Sequence, residues 1–335
     1  MKGLDIGTSS LISAKEVKKG TDFKLIRDAF FRIFPSTPMA AMMIEKGLAG
    51  KSYFKQDGVF IVIGQDAIDK AVERNSSALR PLQRGIVSPK EKDSFSVLRH
   101  IIEKLLGKPS EAGEAVVYSV PAQPIDQSSE QFDVGYHESV FGSFITTLGY
   151  KAISLNEAEA ICYSELMDDD LTGISLSAGA GMCNVCLMSG GEAILRLSLV
   201  RSGDWIDRMV AQALRLEDSE VQVEKESGDI NIDIDDATLN ALPPIHKAIC
   251  IYYKRLIDYF WANLSQYLKT KQGGLPKFKD PIPLVVAGGT SQMKGFVSLL
   301  EKSKPADFPL VIREVRHANN PLYAVAKGCL LYAGV

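Results

Sequence analysis

Short apolar runs and helically spaced apolar residues alternate along this chain, and the alternation is given twice. Residues 2–34 read as three strands joined by short turns, with apolar runs such as Leu11-Ile12 and Phe30-Phe31. Pro35-Ser36-Thr37-Pro38 interrupts them, and the apolar stretch 39–44 carries no clear period. Val59–Ile63 reads as a strand, and Gly64-Gln65-Asp66 leads into a short helix over 67–74. Phe95, Leu98, Ile101, Ile102 and Leu105 predict a helix over Ser94–Leu106, stopped by Gly107 and Pro109. Ala115–Val120 has the continuous apolar character of a buried strand and ends at Pro121. A helix over 134–148, a strand around 151–155 and a helix from Glu157 follow.

The second half repeats the plan. A strand meander is expected over 173–200, then a mostly helical insertion over about 204–270 and a strand over 283–287. Gly288-Gly289-Thr290 links that strand to a helix over 293–301. A last helix is expected over 319–332, opening at Asn319-Asn320-Pro321, a cap followed by proline in the first turn. Strands alternating with helices, twice over, describe a duplicated α/β fold.

The duplication is most informative at its turns. The first copy is Gly3-Leu4-Asp5-Ile6-Gly7-Thr8-Ser9-Ser10-Leu11-Ile12, and the second runs from Ile174 through Ser177-Ala178-Gly179-Ala180-Gly181 to Val185. Each is followed by another turn, Lys19-Gly20 or Gly190-Gly191, and a third apolar strand. Two hairpins placed this way can close on a triphosphate from opposite sides. Small residues let backbone N–H groups approach the phosphate oxygens, and hydroxyls add donors. A carboxylate beside the first turn would hold a hydrated metal ion. The copies differ in one respect: the first has Asp5 where the second has Ser177.

Length and charge narrow the function classes. At 335 residues the chain exceeds what one core usually serves, so two domains are expected. A net charge of -3 gives no electrostatic reason to expect nucleic acid or an anionic membrane as partner. Five irregularly spaced cysteines argue for a reducing cytoplasm over a disulfide framework. The longest apolar helix candidate, 249–268, is interrupted by Lys254, Arg255 and Asp258, so no spanning helix is expected. The first strand begins almost at Met1, and no signal peptide is expected.

Four segments have the properties of a nucleotide site, and each also has a bland reading. Residues 5–10 form a D-x-G-T turn, a combination common in ordinary turns. Asn156-Glu157-Ala158-Glu159-Ala160 puts a carboxylate at a strand-to-helix junction, where the helix dipole alone would favour it. Residues 178–183 form the second turn, and Ala287-Gly288-Gly289-Thr290-Ser291 is a strand-to-helix connection suited to close approach by a ribose or phosphate. Cys183-Asn184-Val185-Cys186 lacks the second ligand pair a zinc site needs, and in a strand its cysteines face opposite ways. His100, His137, His246 and His317 have no metal spacing. Tyr252, Tyr253, Tyr259, Phe260, Trp261 and Tyr267 crowd one helix; most are expected in the core, and the surplus over one face points to a subunit contact.

Taken in order, these segments resemble the actin-like ATPase superfamily, most closely MreB and related bacterial and archaeal actins. Leu4-Asp5-Ile6-Gly7-Thr8 is similar to the first phosphate motif, and Arg80-Pro81-Leu82-Gln83-Arg84-Gly85-Ile86-Val87 to the R-P-L-x-x-G-V segment of MreB. Asn156-Glu157-Ala158-Glu159-Ala160 resembles the first connecting motif and Ala287-Gly288-Gly289-Thr290 the adenosine motif. Asn320-Pro321-Leu322-Tyr323-Ala324-Val325-Ala326-Lys327-Gly328 resembles the closing helix.

The resemblance implies a duplicated actin-like (ribonuclease H-like) two-domain fold with a nucleotide cleft between the domains. Domain I would hold residues 1–150 and the returning segment 319–335, and domain II residues 151–318. It implies ATP or ADP with Mg2+ as cofactors. Asp5 would hold the magnesium ion with its waters, and Glu157 would orient the water that attacks the γ-phosphate. Nucleotide contacts are implied at Gly7, Thr8, Ser9 and Ser10, at Ser177, Gly179, Ala180 and Gly181, and at Gly203 and Asp204. Glu224 and Lys225 would meet the adenine and ribose, and Gly288, Gly289, Thr290 and Ser291 would complete the site.

The function expected on this footing is a cytoplasmic, cytoskeletal ATPase that self-associates into filaments, with an adaptor that links it to membrane or cargo. Ser177 departs from the family's D-x-G-x-G-T, so hydrolysis is expected to be slow while binding survives. Residues 38–44 are a candidate for a membrane-touching loop. A non-polymerising nucleotide-dependent scaffold or chaperone-like ATPase is the alternative, and a sugar or acetate kinase a third reading of the same fold.

Overall fold

The computed structural model describes residues 1–87, 93–127 and 133–334. The chain opens as an antiparallel meander of β1 (Lys2–Ile6), β2 (Ser10–Val17) and β3 (Gly20–Arg27), with Asp5 opposite Ile12. β4 (Phe30–Ile33), α1 (Pro38–Gly47), β5 (Tyr53–Gln56), β6 (Val59–Ile63) and α2 (Gln65–Val72) form a small unit around a sheet ordered β4-β6-β5. A two-residue ladder of β7 (Leu82–Gln83) and β8 (Ile86–Val87) precedes α3 (Ser94–Leu106), β9 (Ala115–Val120), α4 (Val134–Thr147) and β10 (Lys151–Asn156). The first main sheet is ordered β10-β9-β1-β2-β3, with β9 parallel to both β1 and β10. It therefore extends past residue 150 to Asn156, from which α5 (Glu157–Glu165) leaves.

The second half runs through β11 (Gly173–Ala178), β12 (Cys183–Ser189) and β13 (Glu192–Leu199), then α6 (Gly203–Leu214), α7 (Asp218–Glu226), α8 (Asp236–Ala241) and α9 (Pro244–Thr270). β14 (Ile282–Ala287), α10 (Phe296–Lys302), β15 (Ile312–His317) and α11 (Ala324–Tyr332) close it. Its sheet is ordered β13-β12-β11-β14-β15. In both sheets the first strand of the half is central, with an antiparallel meander on one side and two parallel strands on the other. The duplication read from the turns is thus a duplication of topology.

Local sequence explains most elements. Asn156 caps α5 by accepting from Ala158 N and Glu159 N, and Glu157 and Glu159 sit in its first turn. The 27 residues of α9 start on Pro244 and bury Ile249, Tyr253, Leu256, Phe260, Trp261, Leu264 and Leu268 along one stripe. α5 and α11 pack between the two sheets and cross closely. A Cβ on Gly328 would lie 1.7 Å from Ala160 O, and one on Gly3 2.2 Å from Ala326 O. Only glycine permits these backbones to meet.

Several expectations change. Residues 2–34 hold four strands, because Phe30–Ile33 leaves the meander to pair with β6. Residues 39–44 lie in α1, capped by Thr37 Oγ1, which accepts from Ala40 N at 3.1 Å. The helix expected over 293–301 is a 3-10 turn over Gly289–Gln292 followed by α10. The last helix begins at Ala324, not 319. Asn319 donates from its backbone N and Nδ2 to Glu165 Oε2 at 2.9 and 3.0 Å, and Pro321 O accepts from Gly288 N at 2.8 Å. Both are engaged by the core instead of starting a helix.

Most of the aromatics of α9 pack within the chain, as expected of a core-facing helix. Tyr253, Phe260 and Trp261 are buried. Arg255 lies over Tyr252, Arg201 over Tyr259 and Lys271 over Tyr267. Cys183 and Cys186 face different cores, as strand alternation requires. Among the described residues no helix is long and apolar enough to cross a membrane, and no group of three or more His, Cys, Asp or Glu could hold a metal ion.

Candidate functional site

The β1–β2 and β11–β12 turns face each other across a cavity of about 470 Å³, within the roughly 300–1,000 Å³ range of small-ligand sites. Each turn is closed by its own backbone: Gly7 N donates to Ser10 O and Gly179 N to Met182 O, both at 3.1 Å. The turns also meet across the cleft. Thr8 Oγ1 accepts from Gly85 N at 2.9 Å, and a Cβ on Gly181 would lie 2.4 Å from Thr8 Oγ1. The second turn is braced from behind by three donors to one carbonyl. Gly179 O accepts from Ser202 Oγ at 2.5 Å, Thr290 Oγ1 at 2.6 Å and Gly203 N at 3.3 Å. Gly288 is held at φ 93°, with Ala178 O where a Cβ would go. The glycine turns, the start of α6 and the 289–292 turn are therefore one rigid wall.

Two acids face the cavity near the turns. Asp5 Oδ1 accepts from Ser119 Oγ at 3.0 Å. Glu157 accepts from Ser177 Oγ at 2.5 Å through Oε1 and from Asn184 Nδ2 at 2.9 Å through Oε2. Burial pushes the Asp5 carboxyl up to about 7. Burial and the Asp5 charge push Glu157 up to about 8, against the Ser177 hydrogen bond. Among the described residues no cationic side chain pairs with either acid. Two buried acids without a protein cation, beside two glycine turns, suit a hard divalent cation carrying an anionic ligand. The residues present fit Mg2+ with a polyphosphate, Asp5 being the oxygen donor nearest the first turn.

The opposite end of the cavity is formed by α6 and α7. Lys225 Nζ donates to Asp207 Oδ2 at 2.7 Å and to Gly203 O at 3.2 Å. Burial raises Asp207 to about 6, opposed by Lys225. Arg80 crosses from the first half to the second, donating through Nη1 to Asp204 Oδ1 and through Nη2 to Gln222 Oε1, both at 2.9 Å.

Fifteen of the residues expected from the sequence reach this cavity: Asp5, Gly7 to Ser10, Glu157, Ser177, Gly179 to Gly181, Asp204, Lys225 and Gly288 to Thr290. Three do not line it. Gly203 lies behind the wall, where its Cβ would meet Thr290 Oγ1 at 2.4 Å. Ser291 is buried and donates to Gly288 O at 2.8 Å. Glu224 points off the cleft and pairs with His246 Nε2 at 3.0 Å. The helical repeat explains this: α7 shows Gln222, Lys225 and Glu226 to the cavity, leaving 224 on another face. Sequence reasoning passed over Asp207, Gln222, Asn184 and Ser119. Asp207 stands three residues after Asp204 on a predicted helix, a spacing that marks one face. Ser119 and Asn184 sit in apolar strands and carry no local signal.

Residues 1–333 match the family model described as Volactin. None of the curated proteins matches. Among solved structures, the MamK double helical filament superposes with a TM-score of 0.63 at 16% identity, over 100% of this chain and 98% of that one. MreB 5 of Spiroplasma citri bound to AMPPNP gives 0.63 at 13%, over 99% and 95%. The ethanolamine utilization protein EutJ from Carboxydothermus hydrogenoformans gives 0.56 at 13%, over 99% and 89%. These likenesses show that the chain has the two-domain actin-like fold.

Proposed function

The chain belongs to the Volactin family, and we propose that it is a prokaryotic actin-like cytoskeletal protein that binds Mg-ATP in its interdomain cleft and polymerises into filaments. The observation that carries the reading is the pair of glycine turns closing on Asp5 and Glu157, two acids that no described cationic side chain neutralises. A neighbour in fold is described with AMPPNP and another as a double helical filament, which supports the same assignment. On this reading the first domain takes residues 1–156 with the C-terminal segment from 319, and the second takes 157–318. The protein would work in the cytoplasm, with an adaptor joining the filament to membrane or cargo.

Magnesium, when bound, supplies charge neutralisation of the phosphates. The chain's own residues do the rest. Asp5 would hold the hydrated ion, backbone N–H groups of both turns would meet phosphate oxygens, and Glu157 would orient a water for attack. Ser177 donates to Glu157 where an aspartate would present a second anion, so turnover is slow and the ATP-bound filament long-lived. Lys225 and Asp207, paired on the cavity wall, would hold the ribose.

Titration calorimetry with ATP at several magnesium levels, together with pelleting and electron microscopy, tests the reading. Magnesium-dependent binding and ATP-promoted filaments are the expected results. Absence of adenine nucleotide binding would refute the site, and a protein that binds ATP but stays monomeric at high concentration would be a scaffold or chaperone-like ATPase.

A further inference from the structure

Asn184 is fully buried in β12, and the register sets it opposite Ser198 of β13, so the two side chains share a sheet face. Against that face lies the segment 122–126, which leaves β9 of the first sheet. Ala122 is gripped at both ends of its backbone: its N donates to Asn184 Oδ1 at 3.0 Å and its O accepts from Ser198 Oγ at 2.7 Å. Ile125 N donates to Ser198 O at 3.1 Å, and Asp126 accepts from Val200 N and from the Tyr259 hydroxyl. The first domain thus sends a strap onto the edge of the second sheet.

The orientation of the Asn184 amide follows from its neighbours. Ala122 N–H is only a donor, so the amide must turn its oxygen there. Its NH2 is left to face Glu157 Oε2, at 2.9 Å. We propose that Asn184 is a positioning residue that ties Glu157 to the 122–126 strap, so that the acid is aligned for its water only when the strap is seated on the second sheet. The inference rests on the role given to Glu157 under the proposed function. Ser177 fixes the other carboxylate oxygen, and the two donors together leave the acid one orientation. Serine at 177 and asparagine at 184 are both neutral donors, so they hold Glu157 without adding negative charge to the site.

Asn184→Asp is the decisive variant because it keeps shape and the contact to Ala122 while turning a donor to Glu157 into an acceptor. It should lower kcat roughly 10- to 100-fold and leave the KM for ATP within about twofold, as displacement of a catalytic group does. Melting of ligand-free wild type, Asn184→Asp, Glu157→Gln and the double variant forms a cycle. The double variant restores a donor–acceptor pair with polarity reversed, and should recover the melting temperature but not the turnover. An additive cycle, or an Asn184→Asp protein with unchanged kcat, would overturn the inference. Wild type that binds ATP without any turnover would instead overturn the hydrolysis proposed above, and the cycle would then decide by itself whether Asn184 holds Glu157.

Discussion

Replacing Ser177 with aspartate tests the electrostatics of the cleft directly. Ser177 is buried and donates to Glu157 Oε1 at 2.5 Å. Ser177→Asp removes that donor and sets two carboxylates face to face. At about 4 Å and an effective dielectric near 20, their repulsion is about 4 kcal/mol. Glu157, already raised to about 8 by burial, escapes this repulsion by staying protonated at pH 7, so the full cost appears only as pH rises past that value. Above it the ligand-free variant should melt roughly 8 °C below wild type, at about 2 °C per kcal/mol for a large domain. A carboxyl raised in the folded state is stabilising below its unfolded pKa, and that stability is lost as pH rises through the folded value. The deficit should therefore be small at pH 5 and large only above about pH 8. Mg-ATP supplies the cation that the two acids lack, so it should restore most of the loss, and turnover at saturating magnesium should exceed that of wild type. Scanning fluorimetry across pH with and without magnesium, plus phosphate release, reads all three. A variant whose melting temperature stays within about 1 °C of wild type as pH rises well above about 8, without magnesium, would show that Ser177 does not face Glu157.

Three further outcomes follow from particular contacts. Burial depresses His137, tilted against Phe141 with ring centroids 4.7 Å apart, to about 3, and neither ring nitrogen has a partner among the described residues. A folded value below the unfolded one makes its stability present above about pH 6.5 and lost on acidification, so His137→Leu should raise the melting temperature more at pH 5 than at pH 8; equal shifts would refute the assignment. Gly328→Ala places a methyl 1.7 Å from Ala160 O, and should destabilise by about 3 kcal/mol or more in denaturant titration; a neutral result would mean that α5 and α11 do not cross there. Arg80→Ala removes the bonds to Asp204 and Gln222, and should speed release of a fluorescent ATP analogue by about tenfold, a charged pair being worth about 1.5–3 kcal/mol; an unchanged off-rate would show that Arg80 does not gate the cleft.

The sequence by itself determined the repeating plan and the position of its two glycine turns. Glycines and hydroxyls are local devices, and Asp5, Glu157, Gly181 and Thr290 could each be singled out from a few residues of chain. Helical spacing likewise fixed Ser94–Leu106, and continuous apolar character fixed Ala115–Val120. Tertiary structure decided what is set by contacts between distant segments. The departure of Phe30–Ile33 depends on β6, and the late start of α11 depends on Glu165 claiming Asn319. Glu224 was assigned to the site and Gln222 was not, because a helix of nine residues shows its phase only once packed. Asn184 is the clearest case. In sequence it is one polar residue between two cysteines in an apolar strand, and only the approach of Ala122 from one side and Glu157 from the other gives its amide a direction. Local steric preference is written in short windows, whereas a donor's partner is chosen by the fold that brings it there.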